Sequence, residues 1–288
     1  MKTNLLLTLA IAATTVTCGS AYADDTDVYS NGGAGLPDNS EPMVMFSLDY
    51  RPNLGSTACN GDECDTLIAE GYMSATGPYV FFDVLRGALR KVMDPLEGVK
   101  VGLMLNHDHR NNCGGFGRTG CSNGGYIAMG FEEFEIGDLN GAKRRFHNIL
   151  KAMPTPQGNT SHSYQGKELF FEFFRYLTGQ GVYNAHNGWT DYGTDNKKNL
   201  DFDNPGASWD QSIELTPVSK PKYGSPMETA GACSKIFTVN PMFQVSNQEA
   251  DSDDAIEAGV PFGGFGSSQK EFADVIQYMN DADLGNAT

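Results

Sequence analysis

The sequence is short of positive charge and lacks the motifs that mark common enzymes. It has 20 Lys and Arg residues against 36 Asp and Glu residues, for a formal net charge of -16. Such a field repels phosphate backbones and anionic lipid, which disfavours nucleic acid and membrane surfaces as partners. The chain also has no Gly-x-x-x-x-Gly-Lys phosphate loop and no zinc-protease helix. Catalysis therefore has no positive support, and we expect a protein that is not an enzyme.

The apolar run near the N-terminus is too short to span a bilayer as a helix. It follows Lys2 and leads to the small-residue triplet Ala21-Tyr22-Ala23, a layout typical of a secretory signal peptide cleaved before Asp24. We therefore expect residues 1–23 to be a signal peptide. The mature protein is expected to be exported and not inserted in a membrane.

Five cysteines follow the expected cleavage site. They are Cys59, Cys64, Cys113, Cys121 and Cys233. In an oxidising compartment their spacing favours two local disulfides, Cys59 with Cys64 and Cys113 with Cys121, each closing a loop rich in Gly and Asn. Cys233 is then either a buried thiol or a sign of another pairing, because spacing does not fix disulfide connectivity.

Apolar strands alternate with amphipathic helices after a linker at residues 24–40. This alternation predicts an α/β domain with a parallel sheet over residues 41–288, interrupted by a Gly-, Asn- and Asp-rich insertion at 179–232. The first strand, from Met43 to Leu48, ends at Asp49. Because ligands bind beyond the carboxyl ends of parallel strands, Asp49 marks the expected site.

Five stretches of the chain carry a resemblance to a known family. They are "DDTDVYSN", "PMVMFSLD", "GNTSHSYQGKELFFEFFRYLTG", "ACSKIFTVNP" and "EFADVIQYMNDADL", in that order. Together they resemble a von Willebrand factor A domain, and more narrowly the N-terminal domain of the type IV pilus tip protein family (PilY/PilC). The resemblance spans Asp24 to Leu284. It implies a von Willebrand factor A-like, Rossmann-like fold, in which helices flank a mostly parallel sheet that carries long loop insertions.

The resemblance also implies where a binding site lies. In the family, an Asp-x-Ser-x-Ser stretch, a Thr in a second loop and an Asp in a third hold Mg²⁺ through hard oxygen ligands. Asp49 matches the first Asp and Thr160 matches the Thr, whereas Arg51 and Asn53 replace the two Ser residues and Asn240 replaces the last Asp. These five residues are the expected partner-binding residues at the top of the sheet.

Arg51 decides what this site can hold. A guanidinium has five donors and no acceptor, so it cannot ligate Mg²⁺. If Arg51 turns inward, it pairs with Asp49 and stands in for the ion, which leaves a degenerate, metal-free site. If it points to solvent, Asp49 merely caps a turn, and the sequence leaves both readings open. A metal at Asp49 and Thr160 is a remaining alternative. Calcium bound by the acidic loop is another, through the carboxylates of Asp251, Asp253 and Asp254.

By resemblance, the protein is an exported, non-catalytic binding module of a type IV pilus tip or assembly protein. Its expected partners are pilins, minor pilins, or a host or abiotic surface to which it mediates adhesion. Its expected location is the periplasm, the outer surface or the pilus tip. The family has a further strand after the last predicted helix, so the domain is expected to lack its last strand. The alternative function is an exported hydrolase with an unrecognised acidic site on the same α/β scaffold.

Overall fold

A computed structural model gives the fold of most of the predicted domain. It describes residues 41–59, 64–106, 125–135, 141–156, 166–182, 209–215, 221–230 and 235–241, together with Met279. All of these lie in a compact unit formed by residues 37–288. Six strands and four α-helices fall within the described ranges. None of the helices found there is long and apolar enough to cross a bilayer.

The strands form one central sheet and one small ladder. The central sheet contains β1 (Met43–Leu48), β2 (Lys100–Asn106), β3 (Gly125–Glu133) and β6 (Ile236–Val239), in the order β3-β2-β1-β6. β1 runs parallel to both of its neighbours, whereas β3 runs antiparallel to β2. The ladder pairs β4 (Glu214–Leu215) with β5 (Lys222–Tyr223) within the predicted insertion.

The α-helices are α1 (Asp65–Ala69), α2 (Phe81–Met93), α3 (Ala142–Ala152) and α4 (Gly166–Leu177). The start of α2 illustrates how the sequence sets these bounds. The Asp83 carboxylate reaches back to accept the Val80 backbone N–H at 3.1 Å, which satisfies a donor that the first turn leaves open. Pro95 follows the helix and cannot continue it.

The helices cover both faces of the sheet. Val44, Phe46 and Leu48 of β1 pack in the cluster that contains buried residues of α2 and α3, whereas Met45 packs in the cluster built around α4. Met279, which is helical, packs against the α4 cluster as well. A strand buried on both faces needs a mainly apolar sequence, and this explains why β1, whose polar residue is Ser47, does not alternate between apolar and polar residues.

The predicted α/β architecture, with helices flanking a mostly parallel sheet, is confirmed. The insertion predicted at 179–232 contributes the β4–β5 ladder and the chain segments next to it. The predicted signal peptide, the linker and most of the final helix lie outside the described residues.

Candidate functional site

The carboxyl ends of β1, β2 and β6 meet at one edge of the sheet. β1 lies in the centre, and the chain passes first to β2 on one side and later to β6 on the other. Such a reversal of strand order opens a crevice where ligands bind in α/β proteins. The register pairs Leu48 with Leu105 and Phe46 with Val239, so Asp49 follows β1 level with Asn106. Asn240 follows β6 at the same edge.

Arg51 folds back onto Asp49 at this edge. Its Nε donates to Asp49 Oδ1 at 2.5 Å, and its Nη2 donates to Asp49 Oδ2 at 2.6 Å. The side chains are 2% and 0% exposed, respectively. The contact is therefore a buried, bidentate ion pair, the strongest form of arginine–carboxylate recognition. The reading in which Arg51 points to solvent is wrong.

Tight backbone turns bring the two side chains together. The Tyr50 N–H donates to the Leu48 carbonyl at 2.9 Å, and the Arg51 N–H donates to the Asp49 carbonyl at 3.0 Å. A 3-10 turn at Pro52–Gly55 then begins with the Leu54 N–H bound to the Arg51 carbonyl. The chain thus reverses within a few residues, which leaves Asp49 and Arg51 facing the same space.

Asn106 holds this turn from the neighbouring strand. Its Oδ1 accepts the Tyr50 backbone N–H at 2.7 Å, and its Nδ2 donates to the Tyr50 carbonyl at 3.4 Å. The side chain is buried. Its amide therefore pairs with residue 50 much as a peptide group of an adjacent strand would. Sequence reasoning missed Asn106, although a polar residue at the end of an apolar strand, level with Asp49, was an available signal.

Tyr50 ties the turn to the end of α3. Its hydroxyl donates to the Pro154 carbonyl at 2.6 Å. The Arg86 Nη1 of α2 donates to the neighbouring Met153 carbonyl at 2.9 Å. The residues that leave α3 are therefore fixed beside the turn that carries the ion pair. Thr160, which follows them in the chain, lies outside the described residues.

The arrangement does not fit the Mg²⁺ site that the family resemblance implies. Both carboxylate oxygens of Asp49 accept N–H groups from Arg51, and a guanidinium supplies no oxygen to a metal. Asn240 adds a neutral amide where the family has a carboxylate. In the part of the chain that the structure covers, no group of three or more His, Cys, Asp and Glu side chains could hold a metal ion.

The expected partner-binding residues differ in how far they reach the surface. Asp49 and Arg51 are buried, whereas Asn53 and Asn240 are half-buried. The Asn53 Oδ1 has no hydrogen-bond partner in the structure, and neither has the buried Oγ of Ser47 on β1. The ion pair is thus neutral and closed to solvent, whereas Asn53 and Asn240 are the partly exposed residues of the set. We call Asn53 and Asn240 the rim amides.

The other expected residues are only partly covered by the structure. Cys59 and Cys64 form a disulfide, as expected, and both pack in a small cluster with Met73 and Tyr79. The remaining candidates lie outside the described residues: Cys113, Cys121 and Cys233 for disulfides, and Asp251, Asp253 and Asp254 for calcium. Their assignments stay predictions.

Comparison with protein-family models, with curated proteins and with solved structures gave no match. The resemblance to the pilus tip family therefore has no support from these comparisons.

Proposed function

We propose that the protein is a non-catalytic, exported binding module of a type IV pilus tip or assembly protein, built on a von Willebrand factor A-like domain. The buried Asp49–Arg51 pair at the switch point of the sheet carries this proposal. In this view Arg51 takes the place of the metal ion. The module would act in the periplasm, on the outer surface or at the pilus tip.

The arrangement of the strands supports the von Willebrand factor A-like assignment. The strand that ends in Asp49 lies at the centre of the sheet, and the strand that leads to Asn240 runs parallel beside it. Two stretches singled out by the resemblance are therefore neighbours in space. A von Willebrand factor A-like domain requires these two loops to be neighbours.

Recognition at such a site would differ from recognition through a metal. A metal site captures a partner carboxylate with an open coordination position. With the ion pair neutral and buried, the rim amides would instead supply uncharged hydrogen-bonding groups, which suit polar backbone or amide groups on a pilin or minor pilin. The large negative charge of the chain further disfavours acidic partners.

Calorimetric titration with Mg²⁺ and Mn²⁺ tests the metal-free part of the proposal. The wild-type protein is expected to show no stoichiometric binding at micromolar metal, because Arg51 occupies the Asp49 carboxylate. The Asp49→Ala variant serves as the matched control. Stoichiometric micromolar binding by the wild type that disappears in this variant would overturn the degenerate site.

Genetic complementation tests the pilus function. A deletion strain is expected to lose surface piliation, twitching or adhesion, and the wild-type gene should restore them. A gene carrying Asn53→Ala and Asn240→Ala should restore less, because it lacks both rim amides. Asn148→Ala, which removes an exposed amide from α3, is the matched control and should restore fully. Unchanged piliation, twitching and adhesion in the deletion strain would refute the proposal.

An exported hydrolase remains the alternative. It would need an acidic group that reaches its substrate, and the Asp49 carboxylate is buried and bound to Arg51. No observation on the described residues favours it. Neighbouring genes separate the two ideas cheaply: minor-pilin genes support a pilus module, and a catabolic operon supports a hydrolase.

A further inference from the structure

The strand β3 is a long edge strand with an apolar sequence. It occupies one end of the strand order among the described residues. Residues 126–131 read "YIAMGF", without charge or proline. Strands of this composition at the edge of a sheet readily pair with another chain, because their backbone groups offer a template for strand addition.

Three backbone groups of β3 are bound by residues outside the sheet. The Ile127 carbonyl accepts the Asp210 backbone N–H at 2.8 Å, and the Gly130 N–H donates to Asp210 Oδ2 at 2.9 Å. The Phe131 N–H donates to the Tyr176 hydroxyl at 3.1 Å. Both Asp210 and Tyr176 are buried. A carboxylate, a backbone N–H and a phenol thus occupy groups that an incoming strand would need.

Asp210 is held in place by further contacts. Its Oδ1 accepts the Ser212 N–H at 3.0 Å and the Ser212 hydroxyl at 2.6 Å. The Arg145 Nη2 of α3 lies 2.9 Å from the same oxygen. Asp210 begins a short segment, residues 210–215, that we call the edge strap. The strap is therefore fastened to α3 as well as to β3.

The packing at Gly130 shows how closely the strap lies against the strand. A Cβ atom at this glycine would run into the Ile213 side chain of the strap and crowd the Tyr176 hydroxyl. Only glycine permits this close approach. No room remains for a further strand while the strap is in place.

We propose that the edge strap is a guard against self-association. When the Asp210 cap is lost, β3 becomes free to pair with β3 of a second copy of this chain. The pairing is antiparallel and two-fold symmetric, so the same surface serves on both copies.

The charge pattern of β3 supports this partner and orientation. Glu132 and Glu133 are the charged residues of the strand, and both lie at its C-terminal end. Antiparallel pairing places the carboxylates of the two copies at opposite ends, whereas parallel pairing would set them against each other. Each copy carries a formal charge of -16, so added salt should strengthen the association by screening repulsion.

Asp210→Ala in the full chain tests the proposal by sedimentation and by light scattering after gel filtration. The wild type is expected to stay monomeric at micromolar concentration. The variant should self-associate at least tenfold more tightly, and more so at higher salt. Hydrogen exchange at the Gly130 amide should become fast in dilute variant and slow again as its concentration rises.

Ser225→Ala is the matched control for general loss of stability. Ser225 Oγ donates to the Leu177 carbonyl and accepts the Met227 N–H, and its loss removes both hydrogen bonds, neither of which involves β3. This variant should stay monomeric. Equal self-association of the Ser225→Ala and Asp210→Ala proteins would overturn the proposal, and so would a folded Asp210→Ala protein that stays monomeric at high salt.

Tyr176→Phe gives a second, milder test if Asp210→Ala does not fold. It removes only the phenol oxygen that caps the Phe131 N–H. A measurable increase in self-association over the wild type supports the guard, and no increase with the fold retained counts against it.

Discussion

Two aspartate–arginine pairs lie in different parts of this molecule and differ in almost every respect except their chemistry. Asp49 and Arg51 are two residues apart, and their side chains are 0% and 2% exposed. Asp210 and Arg145 come from distant parts of the chain, and Arg145 is 29% exposed. The first pair closes a turn on itself, whereas the second fastens an insertion to α3.

The difference shows how burial changes the role of an ion pair. Removing one partner of a buried pair leaves the other charge without water and without a counter-ion, which is costly. A partly exposed pair can recruit water when it is broken, so its own contribution is small. Asp210 nevertheless matters, because it also accepts hydrogen bonds from the Gly130 and Ser212 backbones.

Breaking the buried Asp49–Arg51 pair, which we call the sealed pair, should lower the free energy of unfolding most. Asp49→Ala is expected to lower the free energy of unfolding by about 3–5 kcal/mol, because Arg51 would stay buried without its counter-ion. Urea denaturation of the two proteins measures the difference. The double variant Asp49→Leu with Arg51→Met should regain most of the loss, because apolar replacement of both partners is often neutral. A loss below about 1 kcal/mol in the single variant would mean that water reaches the pair.

Removing the Asn106 side chain, the brace that holds the Tyr50 backbone, should lower stability by the next largest amount. Asn106→Ala is expected to cost about 2 kcal/mol, because the Tyr50 N–H and carbonyl lose a buried partner. A double-mutant cycle with Asp49→Ala should show coupling, since both changes act on one turn. Strictly additive losses would mean that the brace and the ion pair act independently.

Breaking the partly exposed pair should cost less than breaking the sealed one. Asp210→Ala is expected to lower stability by about 1–2 kcal/mol, chiefly through the unsatisfied Gly130 N–H. Ser212→Ala removes only one donor to Asp210 and should cost less than Asp210→Ala. The same denaturation experiment compares them with Asp49→Ala, and a reversed order would refute the role assigned to burial.

The titration of Glu132 should have the smallest effect on stability. Arg145 also contacts Glu132, and burial, supported by the nearby Asp210 charge, raises the pKa of Glu132 although Arg145 works to lower it. The folded state therefore binds this proton more tightly than the unfolded state. Its contribution is present at low pH and is lost as the pH rises above the ordinary value of 4.5 and through the raised pKa.

Glu132→Gln should remove this dependence. The variant is expected to gain stability relative to the wild type as the pH rises from acidic to neutral, by less than any of the substitutions above costs, as followed by thermal unfolding at several pH values. Parallel curves for the two proteins would show that Arg145 fully compensates the burial of Glu132.

The sequence predicts the local parts of this structure better than the distant ones. The apolar runs MVMFSL and VKVGLML predict strands at β1 and β2, and apolar residues at helical spacing predict α2, α3 and α4, because those patterns come from burial of neighbouring residues. The antiparallel direction of β3 could not be read in the same way, since an apolar strand has the same composition in either direction.

The same limit applies to the candidate site. The two-residue spacing of Asp49 and Arg51 allowed both an inward and an outward arginine, and burial by the surrounding residues decides between them. Asn106 and Asp210 bind backbone groups 56 and 80 residues away. A local pattern can mark Asn106 as a polar residue at a strand end, but it cannot give the partner of either residue. Contacts between residues of distant segments therefore have to be taken from the three-dimensional structure.

The brace from Asn106 has a consequence for how this surface can change over generations. Asn106 hydrogen-bonds the backbone N–H and carbonyl of residue 50, so these bonds do not depend on the side chains that follow. Substitutions in the loop beyond could accumulate without altering its path. Related proteins could thus differ in what the loop binds while they keep the same backbone position at residue 50.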